Sequence, residues 1–126
     1  TTSTDFDSIK IEEVLNREKI ETIKEIIKNI HIDEKLMDYI LEIVFKTREI
    51  NNYIACGASP RASIALVVSA KANAFLEGRE YVMPQDIKRV IFDVLRHRIM
   101  LNYEAEAEGK NVEDIITGIM EEVKLP

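Results

Sequence analysis

Apolar residues recur at three- and four-residue steps along most of this chain, and each such stretch predicts a helix rather than a strand. The first series is Ile20, Ile23, Ile26, Ile27 and Ile30, in a helix beginning at Ile9 or Asn16 and ending at Asn29. Residues 1–8 read as a frayed lead-in. Asp33 suits an N-cap, and after it Leu36, Tyr39, Ile40, Ile43, Val44 and Thr47 share one face of a second helix. Residues 48–58 read as a loop. A third helix opens at Pro60, its expected apolar side built from Ile64, Val67, Val68, Lys71, Ala74 and Phe75, with Gly78 as its left-handed stop. Pro84 opens a fourth, with the stripe Ile87, Val90, Ile91, Val94 and Leu95. Asn111 caps the last, where Ile115, Ile116, Ile119, Met120 and Val123 supply the apolar side. Between helices, residues 30–32, 81–83 and 99–103 read as extended, the second because a residue before proline avoids the helical region. The expected fold is all-α: a bundle of about five helices with at most a very small β element, from pieces around Ile30, Arg98 and Val123.

Composition narrows the function classes. The 126 residues suffice for one domain, and 46% of them are hydrophobic, which excludes a disordered segment. Lys and Arg number 17 against 23 Asp and Glu, for a net charge of -6, which gives no support to a general nucleic-acid binder. No apolar run approaches the roughly 20 residues that span a bilayer, and no signal peptide is visible. The lone Cys56 cannot form an internal disulfide and reads as a small buried filler. The chain begins at Thr1, not methionine, so a fragment, a processed chain or a trimmed one is expected.

Most catalytic signatures are missing. There is no phosphate loop of the G-x-x-x-x-G-K-[ST] type. His31 and His97 stand far apart without cysteine or histidine neighbours, so no metal site is expected. His31 reads as a joint residue and His97 as a helix-end cation. The carboxylates Glu12, Glu13, Glu104, Glu106, Glu108, Glu121 and Glu122 read as solvated faces. Lys88, Arg89, Arg96, His97 and Arg98 read as helix-end electrostatics and salt bridges.

One local oddity remains, in Cys56-Gly57-Ala58-Ser59-Pro60-Arg61-Ala62. Ser59 is a good N-cap and Pro60 fits the first helical position, which leaves Arg61 in a first turn that favours negative charge. An anion shared between its guanidinium and the free N–H groups of the turn accounts for it. A surface arginine paired with a carboxylate or solvent is the plainer reading of the local sequence.

Gly57-Ala58-Ser59-Pro60-Arg61-Ala62, then Gly78-Arg79-Glu80-Tyr81-Val82-Met83-Pro84-Gln85-Asp86, then Val94-Leu95-Arg96-His97-Arg98 resemble, in order and separation, the G-A-S-P-R-A, G-R-x-x-V-x-P-x-D and V-L-x-H-R elements of the C-terminal lid of MoxR-type AAA+ ATPases. Tyr39-Ile40 with Thr47-Arg48, and the terminal Val123-Lys124-Leu125-Pro126, are similar to further family elements. The resemblance covers residues 16–126 and implies a helical lid there, with residues 1–15 a flexible lead-in or interdomain connection. It implies an α/β nucleotide-binding core whose own motifs have no match here. Only the second-sensor arginine carries over, onto Arg61, with residues Gly57, Ala58, Ser59 and Pro60 near nucleotide. For a parent enzyme the resemblance implies ATP and Mg2+, hydrolysis with chaperone-like remodelling, its own AAA+ core as partner, a ring, hexameric by analogy, with neighbouring subunits, a von Willebrand factor A domain partner, and a cytoplasmic setting. The 126 residues alone are expected to need no cofactor and to hydrolyse no ATP. Two rivals stand beside this reading: a free-standing helical adaptor whose loop at Arg61 holds a partner's carboxylate, and a histone-like DNA binder, which the acidic balance opposes.

Overall fold

Capping side chains decide where the helices begin in the computed structural model, which describes residues 5–49 and 51–126. Residues 1–4, part of the expected lead-in, and Ile50 lie outside the described residues. After a 3-10 turn at Phe6–Ser8, α1 (Arg17–Lys28) starts where the Asn16 side chain accepts the Lys19 N–H at 2.8 Å, which selects Asn16 over Ile9 as the start. Asp33 accepts the Lys35 N–H and opens α2 (Glu34–Thr47). Then follow β1 (Ile54–Cys56), α3 (Arg61–Leu76), α4 (Pro84–Leu95), β2 (Met100–Leu101), α5 (Tyr103–Ala107) and α6 (Val112–Glu122). At the start of α6, Asn111 and Asp114 exchange side-chain-to-backbone hydrogen bonds at 2.8 and 3.2 Å, the reciprocal box their spacing predicts.

The result is a helical bundle with a small antiparallel sheet, as expected, but the strands are placed differently. β2 lies just past Arg98, and its partner β1 comes out of the expected 48–58 loop, with Ile54 opposite Leu101 and Cys56 opposite Met100. Asn102 fastens the segment before β1, donating from its side chain to the Asn52 carbonyl and from its backbone N–H to Tyr53. The piece at Ile30 instead makes a single parallel bridge between His31 and Tyr81. Val123 forms no strand; it is buried after α6. The short α5 carries too few residues to show a period, and is set by Asn102 in front and Gly109, at φ +70°, behind.

Helix α3 is the centre, packed against α1, α2 and α4. Its buried line is Ala62, Leu66, Ala70 and Ala74, at regular four-residue steps; of the expected face Ala74 is buried and Val67 and Phe75 pack against the core, while Ile64 and Val68 do not. Alanine at three of these four positions lets the neighbouring helices come close, so the larger Ile64 and Val68 are turned outward. The expected stripes of α2, α4 and α6 do form the core, with Ile40, Ile43, Ile87, Ile91, Leu95 and Ile116 essentially inaccessible to water. Helix α1 is the loosest element. None of its residues is fully buried; Ile23 and Ile27 are half-buried, Ile20 and Ile26 exposed. No helix of the described residues is long and apolar enough to cross a membrane.

Candidate functional site

The loop leading to Arg61 is held by the end of α2. Thr47 closes an otherwise apolar face of that helix and is fully buried, so its hydroxyl requires partners. It donates to the Val44 carbonyl at 2.6 Å and accepts the Ala58 N–H at 3.0 Å. The Arg48 guanidinium donates to the Ala58 carbonyl at 3.1 Å, so both polar groups of one peptide residue are gripped by consecutive residues of the helix end. Gly57 makes this approach possible. A Cβ there would stand 2.1 Å from the Thr47 carbonyl oxygen and 2.6 Å from its carbon. Ala58 itself is buried.

From this anchor the chain enters α3. Ser59 Oγ accepts the Arg61 N–H at 3.1 Å, and the Ser59 carbonyl accepts the Ala62 N–H at 2.9 Å. Pro60, with φ -55° and ψ -22°, is already helical and accepts the Ser63 N–H at 3.1 Å. Ser59 is thus the functional N-cap, as its position predicts. These bonds also change what the turn offers an anion: the N–H groups of Arg61, Ala62 and Ser63 are all engaged, and proline has none. The side-chain donors that remain for a phosphate or carboxylate are the Arg61 guanidinium and the Ser59 hydroxyl proton. Both residues are exposed, and the guanidinium makes no hydrogen bond or ion pair with the described residues.

The second motif forms a structural knot at the far end of α3. Gly78, at φ +77°, ends the helix with the Gly78 N–H bonded to Phe75 and the Arg79 N–H to Ala74. Arg79 then meets Asp86 in a two-pronged pair, both contacts at 2.6 Å. Asp86 is wholly buried and also accepts from Asn73 Nδ2 of α3 and from the Met83 N–H, each at 2.7 Å. Burial alone pushes this carboxyl up; the bonds from Arg79, Met83 and Asn73, with the arginine's charge, outweigh it and hold the group below its usual value. Arg79 in turn is raised, chiefly by its hydrogen bond to Asp86.

Sequence reasoning placed Asp86 only in a favourable helix field and passed over this pair. The legible signals were a polar Thr47 ending an apolar stripe and an aspartate at the third position of an amphipathic helix. The third motif is likewise engaged within the bundle. Arg96 pairs with Asp93 and Glu113, and Arg98 donates to the Val94 carbonyl at 2.8 Å. His31 is a joint residue; His97 is exposed past α4 and contacts Arg98. Cys56 does not fill a core position: its β1 register leaves it exposed at the edge of a two-stranded ribbon, a correction to the buried-filler expectation. Among the described residues no cluster of three or more His, Cys, Asp or Glu side chains could hold a metal ion.

Comparison with known proteins gives a consistent result. Residues 47–119 match the AAA lid domain family model. The chain is 37% identical over 122 residues to the "Chaperone MoxR1" of Mycobacterium tuberculosis, covering 90% of this chain and 32% of that protein. It is 40% identical over 116 residues to the uncharacterized protein YeaC of Bacillus subtilis, covering 92% and 36%. A crystal structure of a "putative ATPase" from Cytophaga hutchinsonii superposes with a TM-score of 0.83 at 44% identity, covering 86% of this chain and 36% of that one. The chain therefore spans about a third of the length of the relatives it matches.

Proposed function

This chain belongs to the AAA lid domain family, as a lid of the MoxR type, and on that premise we propose that it closes over the nucleotide of an ATP-hydrolysing, chaperone-like remodelling enzyme, with Arg61 as the sensor of the γ-phosphate. In this reading residues 16–126 are the lid and residues 1–15 the connection to an α/β core. The core, in the cytoplasm and in a ring with neighbouring copies, hexameric by family analogy, holds ATP and Mg2+, and a von Willebrand factor A domain protein is its partner.

The observation that carries the reading is Arg61 itself: an exposed guanidinium without an internal partner, on a backbone fixed by two separate devices, the Thr47–Ala58 anchor and the Ser59 cap. A merely solvated arginine needs neither. The side chains of residues 57–61 offer one planar fork and one hydroxyl, a set that suits a terminal phosphate. The guanidinium is a planar fork that matches two phosphate oxygens at once. ATP supplies the transferred phosphoryl group, whose spreading negative charge positive groups stabilise. Arg61 contributes that charge from the lid side, and its contact ends when the γ-phosphate leaves. Gly57 and Ala58 act on the loop's path, and Ser59 and Pro60 on the direction in which Arg61 emerges.

The test is Arg61→Ala in the complete gene product carrying the nucleotide-binding core. Turnover of ATP should fall at least tenfold while the thermal midpoint stays within about 2 °C, since the side chain is exposed. Arg61→Lys, which keeps charge but loses the fork, should recover only part of the rate. Unchanged turnover and unchanged remodelling in Arg61→Ala would overturn the proposal.

A further inference from the structure

Arg79 is only half spent by the knot it forms with Asp86. Its Nη1 and Nη2 donate to the two carboxylate oxygens, each at 2.6 Å, and Nη1 also reaches the Tyr81 carbonyl at 3.2 Å. The other edge of the guanidinium, Nε–H with the second Nη2 proton, makes no hydrogen bond to any described residue. Among the described residues no buried side-chain nitrogen or oxygen lacks a partner, so the unbonded Nε is reached by solvent. The side chain as a whole is only 17% exposed and is held in place by Asp86, itself fixed by Asn73 and the Met83 N–H. A planar fork, already oriented and open on one edge, suits an oxyanion at little cost in ordering.

The surroundings say which oxyanion. Arg79 lines a hollow of about 400 Å3 with Asn73 and Glu77 on one side and Gln85, Lys88 and Arg89 of α4 on the other. Lys88 and Arg89 are exposed and form no ion pair with the described residues. Arg79 and Asp86 cancel, which leaves two cations against Glu77: a positive spot on a chain of net charge -6. Glu77 in the wall repels a dianion such as phosphate more than it repels a single carboxylate. Lys88 and Arg89, adjacent in sequence, diverge by about 100° around α4, so one small ion cannot engage both. Several carboxylates strung on one chain can.

We propose that this α3–α4 hollow binds an acidic peptide segment of a partner protein. One Asp or Glu carboxylate of the segment sits on the open edge of Arg79, and its neighbours pair with Lys88 and Arg89. The site is independent of the sensor reading, because Arg61 opens α3 and Arg79 stands past its other end. Asp86 stays paired throughout and acts as the clamp that aims the arginine outward. Binding through two exposed cations is screened by salt, and the positioned fork supplies the selectivity for a carboxylate.

Titration of the 126-residue chain with a hexaglutamate peptide, followed by heteronuclear NMR, tests this. The Arg79 Nε–H resonance and the backbone amides of Glu77, Gln85, Lys88 and Arg89 should move together and saturate. Hexaglutamine at the same concentration should move none of them. Lys88→Gln combined with Arg89→Gln leaves the Arg79–Asp86 pair intact, and should weaken the peptide at least fivefold while the thermal midpoint stays put. Glu77→Gln should tighten it by about twofold, the size of one exposed like-charge contact; no gain there counts against the hollow as the seat. Shifts that omit the Arg79 Nε–H, or that spread evenly over the surface cations, overturn the proposal, as does binding indifferent to the loss of Lys88 and Arg89. Inorganic phosphate that displaces the peptide at equal concentration also overturns it, because the occupant is then a free anion. So do resonances of the hollow that move with protein concentration alone, since a second copy of the chain is then the occupant.

Discussion

Gly57→Ala puts the anchor of the Arg61 loop to a direct test. The added methyl would lie 2.1 Å from the Thr47 carbonyl oxygen and 2.9 Å from the Arg48 Cα, and both are backbone atoms that no rotamer change removes. Restoring an ordinary contact of about 3.4 Å requires the loop to retreat by more than an ångström, far enough to break the 3.0 Å bond from the Ala58 N–H to the Thr47 hydroxyl. Leaving that buried pair unmade costs about 1–3 kcal/mol, and the weakened Arg48 contact adds up to about 1 kcal/mol. Alanine also stiffens the unfolded chain, which offsets about 0.4–1 kcal/mol. The net is about 1–3 kcal/mol, or a fall of roughly 4–12 °C in the thermal midpoint for a chain of this size. Calorimetry of the 126-residue chain reads this directly. Thr47→Val removes the same bond without a clash and should cost a similar amount. The double variant should cost clearly less than the sum, since both changes break one contact. A Gly57→Ala midpoint within about 2 °C of the parent, or full additivity with Thr47→Val, would refute the anchor.

Three further outcomes are expected. Asp86→Asn should destabilise the chain by about 2–4 kcal/mol, because Arg79 loses its partner in a largely buried setting. The pH profile carries the same signature. The folded carboxyl sits below its ordinary value of 3.8, so its contribution is complete above that pH and is lost as the pH falls through the folded value. Urea midpoints between pH 7 and pH 2 should therefore fall less steeply on the acid side in Asp86→Asn than in the parent; identical slopes would dismiss the linkage. Iodoacetamide should modify Cys56 fully in the native chain at neutral pH, without denaturant, since β1 leaves it exposed. Modification only above the urea midpoint would place that thiol inside.

What the sequence disclosed and what it hid follow one physical division. Caps and stripes are local, so Asn16, Asp33, Ser59, Gly78 and Asn111 and the faces of α2, α4 and α6 were readable from residue types at fixed spacing. Helix α3 was misread in its first half because small and large apolar residues surround it there: hydrophobicity alone cannot choose between Ile64 and Ala62, and alanine at Ala62, Ala70 and Ala74 permits the close approach of α4. The β1–β2 pairing joins segments far apart in the chain and has no local signal beyond Tyr53-Ile54. For the candidate site, Arg61 stood out as a cation in the wrong turn. Its anchor did not, because the need for glycine at position 57 arises from a backbone ten residues upstream. The same holds for Asp86, whose partners Arg79 and Asn73 are gathered only when α3 and α4 fold together.

Viewed as mechanics, α3 is a beam about 24 Å long, at 1.5 Å per residue, pinned at both ends. Ser59 and the Thr47–Ala58 bond fix one end; Asn73, bonded to Asp86 at the mouth of α4, fixes the other. Between the pins there is no proline or glycine to act as a hinge. On the proposed sensor reading, a pull on Arg61 would be carried along this hinge-free helix to the Arg79–Asp86 knot at the mouth of α4 rather than spent in flexing.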